Sequence, residues 1–532
     1  MQKSQVNVEE LRRGGVVALR EKDMFSIWVK TACSNLNSRQ LKKLADITDK
    51  YARSLLLFTS RQIPIIPFVN IRDVTFVKRE LAEVEMDLDR CGSRVRNLNV
   101  CYEDKICPEA VVNCISLGEK LERFFSSQLM HKVKIGVAGC SRDCIFTSTL
   151  TDIGFIGVEV NGAKGYDAYA GGRLGVNPFV GIKVAERLSE DASVKLVQNV
   201  LDLLEHQGKP GERAADLITR LGADTFNQEV TMDLDNSRNN QAINCPTGLE
   251  EKQTGKTILK IRATCGEVTS NQVRKIADIS ERFGYGFVHF SVRGSPEIPG
   301  IDVKNLPDIK EELKDAGLLM IDSGLENLQS CFGDYCAEGL ADPQSLLRRV
   351  ENRIKDMGID KLKITISASG CPNSCGIAHL SDIGFHGVVE PQVDIASCNG
   401  CGLCVSVCKR KAIEIKDSKA VIDIKQCRLC GQCVSICPLD AILEKRKGFA
   451  VLLGGRGGED TRLGTKIAEY ASEDEAFKIV EGLLALVKDR GVDAKTIIEQ
   501  IGIVNIRKTI VPEDKAATAH TGKGNKHEHP IK

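Results

Sequence analysis

The stretch Ser369-Gly-Cys-Pro-Asn-Ser-Cys375 has a counterpart in Cys140-Ser-Arg-Asp-Cys144, and this pairing decides how the chain is organised. Upstream of each lies a second pair of cysteines, Cys101 and Cys107 as C-x5-C and Cys331 and Cys336 as C-x4-C. Four thiols in two close pairs across a long gap have iron–sulfur ligand spacing. Working outward, Ser38-Arg-Gln-Leu-Lys-Lys-Leu-Ala-Asp-Ile47 matches Ser270-Asn-Gln-Val-Arg-Lys-Ile-Ala-Asp-Ile279 at an offset of 232. The C-x3-C pairs match at 231, and Asp152-Ile-Gly-Phe155 matches Asp382-Ile-Gly-Phe385 at 230. Gly171-Gly172-Arg173 then matches Gly454-Gly455-Arg456 at 283, so the second copy of a duplicated unit has gained 53 residues.

Those extra residues hold Cys398, Cys401, Cys404 and Cys408, then Cys427, Cys430, Cys433, Cys437 and Pro438. A pair of zinc knuckles is the plainer explanation of clustered cysteines. The repeated C-x2-C-x2-C-x3-C run closed by proline instead predicts two [4Fe–4S] clusters. With the fourth ligand exchanged between runs, one cluster takes Cys398, Cys401, Cys404 and Cys437, and the other Cys427, Cys430, Cys433 and Cys408. A loop has few contacts to lose and accepts such an insertion.

The chain's 532 residues exceed what one core organises, so several domains are expected. With 73 Lys+Arg against 72 Asp+Glu there is no global field for nucleic acid or an anionic membrane. The polar start lacks a secretory apolar region, and no stretch reaches the roughly 18–20 apolar residues of a membrane span. Sixteen of the 21 cysteines have cluster spacing, which suits a reducing cytoplasm, that of an anaerobe, better than a secreted disulfide scaffold. Cys33, Cys91, Cys114, Cys245 and Cys265 fit no pattern and are expected to be buried free thiols.

Apolar periodicity predicts an α+β unit opening each half: strands over 25–31 and 257–263, then helices led by Asn37/Ser38 and Thr269/Ser270. Strands over 54–59 and 286–292 follow. Lysine-flanked strands are expected over 132–137 and 361–367, then the Asp-Ile-Gly-Phe strands and closing helices over 193–206 and 474–488. The domain reading is 10–80 and 257–318 for the opening units, and 92–225 and 319–510 for the cysteine-bearing ones. The insert spans 391–443, a polar linker 226–256, and a disordered tail 512–532.

These residues resemble the sirohaem-containing sulfite and nitrite reductases, and the insert makes the chain most similar to dissimilatory-type sulfite reductase subunits. The resemblance rests on the two cysteine patterns, Ser369–Cys375, Thr59-Ser-Arg-Gln62, the Gly-Gly-Arg turns and the order of the halves, and covers nearly all of residues 10–510. It implies a pseudo-two-fold pair of halves, each a ferredoxin-like half-domain plus a sirohaem/[4Fe–4S] domain, with an inserted two-cluster ferredoxin module. It also implies one or two sirohaems and up to four [4Fe–4S] clusters. The activity implied is reduction of sulfite to sulfide, or of nitrite to ammonia. A non-catalytic iron–sulfur carrier or redox sensor is the competing class. Electrons would enter at the insert from a ferredoxin or a reductase subunit.

By the same resemblance Cys144 and Cys375 bridge cluster to haem iron. Arg96, Lys132 and Lys134 match the family's anion-binding cations, and Arg61 matches a base near the haem carboxylates. In the second half Lys260, Arg293, Lys361 and Lys363 are the corresponding cofactor-side cations. A solvated strand edge is the plainer reading of both lysine pairs. Gly171, Gly172, Arg173, Gly454, Gly455 and Arg456 are either ordinary turn residues or places where backbone approaches a macrocycle. Trp28 stands where the family has another arginine, Glu326 stands where Arg96 does, and Cys331–Cys336 is one residue short. One working site is therefore expected, the second-half cluster facing first-half cations. The halves already form a pseudo-dimer, so both a monomer and an oligomer remain open.

Overall fold

The computed structural model describes residues 7–125, 129–234, 255–321, 325–326, 328–359 and 361–512. The tail, Cys245 and most of the stretch read as a linker lie outside them. The first linker residues are helical instead, in Ala223–Thr231, where Phe226 and Val230 are buried against the first lobe.

Each half opens with an antiparallel sheet and a helix. Asn37 and Thr269 cap helices Ser38–Tyr51 and Ser270–Phe283, each closing a capping box with Gln40 or Gln272. Such boxes satisfy orphan N–H groups at the helix start. Every third or fourth residue of both helices is apolar and buried (Leu41, Leu44, Ile47; Val273, Ile276, Ile279). These helices pack on each other across the pseudo-dyad. Their exposed edges carry reciprocal ion pairs, Arg274 with Asp46 and Asp49, and Lys42 with Asp278 and Glu281.

The two opening sheets exchange a strand. Glu267–Thr269 of the second half pairs with Leu55–Phe58 of the first, and Asn35–Asn37 of the first pairs with Phe287–Phe290 of the second. One hydrophobic core therefore runs through both opening units, with Leu41, Phe58, Ile276 and Phe290 in it.

Each cysteine-bearing lobe is a five-stranded mixed sheet. In the first, Asn99–Val100, Ile135–Ala138 and Ile153–Val160 are parallel, and Ala163–Ala170 and Ile182–Leu188 continue antiparallel. In the second, Gln329–Ser330, Ile366–Ser369, Ile383–Val393, Ile442–Leu453 and Thr465–Ala471 repeat that order. Helices Cys114–Glu122 and Glu190–Gln207, or Pro343–Met357 and Glu473–Arg490, supply apolar faces to each lobe's core.

The insertion point is explicit in the register. Val160 pairs with Ala163 across a tight Asn161-Gly162 turn, and Glu390 pairs with Arg446 in the equivalent place. Both turn residues have positive φ, which suits a two-residue hairpin. Residues 391–445 thus stand in for two turn residues. The strands run on past that point to Val393 and Ile442, and the hairpin Ile413–Lys416/Lys419–Ile422 with helices Leu403–Val407 and Gln432–Ile436 completes the insert.

The register also corrects one alignment. The parallel strand of the second lobe begins at Ile366, and Lys361 and Lys363 precede it as exposed residues. Ile135 pairs with Ile153 and Ile366 with Ile383, so Lys134 corresponds to Thr365 and Lys132 to Lys363. Lys361 has no place in that pair. Two lysines at the same spacing made the wrong partner look right.

Candidate active site

The thiols of each lobe lie near enough for the charge of one to act on another. Cys101, Cys107, Cys140 and Cys144 lie close enough that burial and one another's charge raise the thiol pKa of Cys101 and Cys144, that of Cys144 to about 11. Burial and then Cys375 push Cys331 up to about 12. Cysteines left alone in such a place stay protonated; iron removes the protons and makes them ligands. Cys331 Sγ accepts N–H bonds from Gly333 (3.4 Å) and Gly370 (3.1 Å), leaving its charge partly compensated by backbone.

Both C-x3-C loops are wound by residues in the left-handed region. Asp143 and Phe146 in one, and Ser374 and Ile377 in the other, have positive φ, a strained choice for bulky side chains. The Asp143 carboxylate pins its loop through the Thr147 N–H (2.8 Å), and Ser374 Oγ pins the other through His386 Nε2 (3.0 Å). The winding turns the last thiol outward: Cys144 and Cys375 are exposed while the other ligands are half-buried.

What each outward thiol faces belongs to the opposite half. Ser60 Oγ donates to the Cys375 carbonyl (2.7 Å), and the Arg61 and Lys134 charges both act on Cys375. Arg61, Arg96, Lys132 and Lys134 are thereby brought into one cluster. A fifth cation, Arg213, joins them; burial and then the charges of Lys134, Arg96, Arg213 and Arg61 hold Lys132 well below the usual lysine range. Burial, with Arg61 and Arg213, lowers Lys134 to about 7.

Carboxylates hold Arg61 and Arg213 but not Arg96 or the lysines. Arg213 makes a two-pronged pair with Asp152 (2.8 and 2.7 Å), and Arg61 Nη1 binds Asp89 Oδ2 (2.8 Å) while stacking on Trp28 at 4.4 Å. Trp28 therefore supports a guanidinium rather than replacing one. Arg96 reaches the Gly92 carbonyl through Nε and Nη2, and its buried Nη1 has no partner. The buried Cys91 thiol lies near enough to act on both arginines.

The mirror-related place is neutralised. Arg293 pairs with Glu326 (2.9 Å), Lys260 with Glu297 (3.7 Å), and Lys363 reaches the same Glu326 at 3.9 Å. Tyr102 hydroxyl also binds Glu297 (3.0 Å). Asp493, the cap of helix Ala494–Ile501, stands where Arg213 caps Ala214–Leu221. Lys134 and Arg213 on one side thus become Thr365 and Asp493 on the other, and the cations that remain there, Arg293, Lys260 and Lys363, are paired with Glu326 or Glu297.

The Gly-Gly-Arg turns serve their own lobes. A Cβ on Gly172 would lie 2.5 Å from the Ser148 carbonyl, and one on Gly455 2.2 Å from that of His379. One on Gly171 would meet Ile218 and one on Gly454 Ile503, again within the same lobe. Arg173 is paired with Asp216 (2.6 Å) and Arg456 with Asp460 (2.7 Å). Their reading as macrocycle contacts is replaced by loop packing.

In the insert, one cavity is lined by Cys398, Cys401, Cys404 and Cys437, and another by Cys408, Cys427, Cys430 and Cys433. These are the crossed sets read from the spacing. Asn373, between Cys371 and Cys375, also lines the second cavity.

Sequence profiles for the nitrite and sulphite reductase 4Fe-4S domain match residues 91–238 and 322–516, and those for the ferredoxin-like half domain match 18–84 and 250–316. The chain belongs to the nitrite and sulfite reductase family. A coenzyme F420-dependent sulfite reductase of Methanocaldococcus jannaschii is 33% identical over 243 residues, 45% of this chain and 39% of that protein. A sulfite reductase [ferredoxin] of Mycobacterium tuberculosis is 22% identical over 406 residues, 69% and 70% of the two chains. The chain thus spans well under half the length of the first relative. The NirA protein of Mycobacterium tuberculosis superposes with a TM-score of 0.71 at 18% identity, over 93% of this chain and 90% of that one, and so shares the fold.

Sirohaem and [4Fe–4S] clusters are this family's cofactors, and the residues fit them. The grouped thiols suit cubane iron, and five cations with an unpartnered Arg96 Nη1 suit a carboxylate-rich macrocycle and an anion.

Sequence reading missed Arg213, Asp89 and Cys91. Asp152 was quoted as a repeat marker; a buried carboxylate at a strand start needs a base, and Arg213 supplies it.

Proposed function

We propose that the chain reduces sulfite to sulfide at the second-half cluster, facing the first-half cations. The observation that carries this is the polarity of the two mirror-related places: Arg61, Arg96, Lys132, Lys134 and Arg213 around Cys375, against Glu326, Glu297, Thr365 and Asp493 in the other. Cys331, Cys336, Cys371 and Cys375 would hold the cluster, with Cys375 shared with sirohaem iron. When bound, the coupled centre supplies electrons and an open iron position.

This chain's residues supply the rest. Arg96 Nη1 and the two lysines bind and orient the anion: no carboxylate is paired with them, and a bound anion offsets the burial and repulsion that hold the lysines low. Lys134, held near 7, gives up a proton readily as oxygen leaves as water and takes one back from solvent, while Lys132, lowered still further, stays a hydrogen-bonding neighbour. Asp89 and Asp152 keep Arg61 and Arg213 in place without approaching the anion themselves. Nitrite carries the same oxygen acceptors and less charge, so it is the competing substrate.

Electrons would come from a ferredoxin or reductase subunit through the insert, read as a two-cluster ferredoxin module. Contact of its Cys408–Cys433 cavity with Asn373 supports entry at the second-half lobe. No helix among the described residues is long and apolar enough to cross a membrane.

Protein purified anaerobically is expected to show sirohaem absorption that shifts with sulfite, and to oxidise a chemical reductant when sulfite is added. Lys134→Met and Arg96→Met should each cut kcat/KM about 10²-fold, the scale of losing one preorganised donor. Iron–sulfur absorption alone, or turnover with nitrite and none with sulfite, defeats the proposal.

A further inference from the structure

The two cysteine sets of the insert have similar backbone surroundings and different charge surroundings. In the outer set Ala420 N–H donates to Cys398 Sγ (3.4 Å) and Ala441 N–H to Cys437 Sγ (3.2 Å). In the inner set Ala412 N–H donates to Cys408 Sγ (3.3 Å) and Leu429 N–H to Cys427 Sγ (3.3 Å). Hydrogen bonding to sulfur, one of the main levers on a cluster's potential, therefore does not separate the two.

Charge does. Lys409, Arg410 and Arg428 line the inner cavity, while no charged residue lines the outer one. Arg410 and Arg428 line the same cavity and lie near enough for one charge to act on the other. Two acids act here, Glu469 on Arg428 and Glu390 on Cys427, and each is shared with other cations. Glu390 is paired with Lys445 (2.7 Å) and Arg446 (2.6 Å), and Glu469 with Lys466 (2.7 Å). Beside the outer set, Lys419 and Asp394 act on Cys398 with opposite sign.

The inner set is also the one fixed to the second lobe. Val389 N–H donates to the Leu429 carbonyl (2.9 Å), and Val389 bridges to Cys430. Gly431 is packed so closely that a Cβ there would lie 2.7 Å from Val389 Cγ1 and 3.0 Å from Leu340 Cδ2. Leu340 N–H in turn donates to Gly370, beside Cys371 (2.7 Å).

We propose that Lys409, Arg410 and Arg428 set the direction of electron flow through the insert, making its inner cluster the stronger electron acceptor and the outer one the entry point. This rests on the reading of the insert as a two-cluster module. A cluster gains one negative charge on reduction, so an excess of nearby cations over acids favours its reduced form. Each one-electron step oxidises the outer cluster and reduces the inner one, and the donor protein supplies the electron. Two such charges within about 8 Å, at an effective dielectric near 20, bias the electron towards the inner cluster by an order of magnitude or more.

Lys409 and Arg410 are exposed and Arg428 half-buried, so neutral substitutions leave the packing intact. The holoprotein and an Arg410→Gln/Arg428→Gln variant are titrated potentiometrically with the paramagnetic signals of the reduced clusters followed. The expected result is one insert signal moving to more negative potential with the other unmoved. Arg410→Lys/Arg428→Lys should restore the native value. Turnover driven by a protein donor should fall at least threefold in the neutral variant while turnover with a small chemical reductant stays unchanged. Unmoved midpoints, or equal shifts in both signals, overturn the proposal. Iron and signal counts showing fewer than two clusters in the insert overturn instead the reading on which it rests.

Discussion

Lys134 lies between Arg61 and Arg213, and burial together with those two charges brings its pKa down to about 7 from an ordinary 10.5. Unfolding restores the ordinary value, so between those limits the unfolded chain binds more protons than the folded one. The contribution of Lys134 to the stability of cofactor-free protein should then rise with pH from about 7 towards 10.5, and Lys132, shifted the same way, adds to it. Thermal melts across that window test this, and Lys134→Met should flatten the rise. Arg213 is a different case, because Asp152 is fully buried beneath it. Arg213→Ala leaves that carboxylate unpaired and is expected to cost about 3–5 kcal/mol in denaturant unfolding. Restoring charge with Arg213→Lys should recover only part, since one ammonium cannot reproduce the two-pronged bond.

The hairpin Ile153–Val160/Ala163–Ala170 and its counterpart Ile383–Val393/Ile442–Leu453 differ in what joins them, a two-residue turn against the whole insert. Because Glu390 and Arg446 hold the pairing positions of Val160 and Ala163, residues 391–445 replaced by Asn-Gly should close as the first-half hairpin does. That protein is expected to keep its lobes and its turnover with a small chemical reductant while losing donor-driven turnover. Loss of soluble protein would show that the insert is part of the second lobe's core. Helix starts at this scale were readable in advance, since Asn37 with Gln40 and Thr269 with Gln272 are local signals. The second lysine pair was not. Which residue faces the site depends on where Ile366 meets Ile383, a partner seventeen residues away that spacing alone does not reveal.

The halves are interlocked as well as similar. Each opening sheet lacks an edge strand until the other half provides it, and the core containing Leu41 and Ile276 is common to both. A first half ending before residue 256 and a second beginning there should each aggregate when produced alone, exposing an unpaired edge and half a core. Produced together they should associate into one particle, which size-exclusion chromatography and light scattering would detect. Two stable, separate monomers would contradict the strand exchange. The same interlock explains why both sites are built between halves: the outward thiol of one lobe meets the cations or acids of the other.

The grouping of the cysteines was local information. The duplication, the point of insertion and the cysteines that share each cavity of the insert could be taken from the order of residues, because close-spaced motifs and repeats are written in short contiguous segments. Four of the five remaining cysteines, Cys33, Cys91, Cys114 and Cys265, are buried free thiols as expected. The charge balance of the two mirror-related places was decided only by tertiary structure. Arg213 gains its meaning from Asp152, Arg293 loses its charge to Glu326, and Trp28 becomes a platform for Arg61. Coulomb energy depends on distance in space, and chain packing sets those distances between residues far apart in sequence.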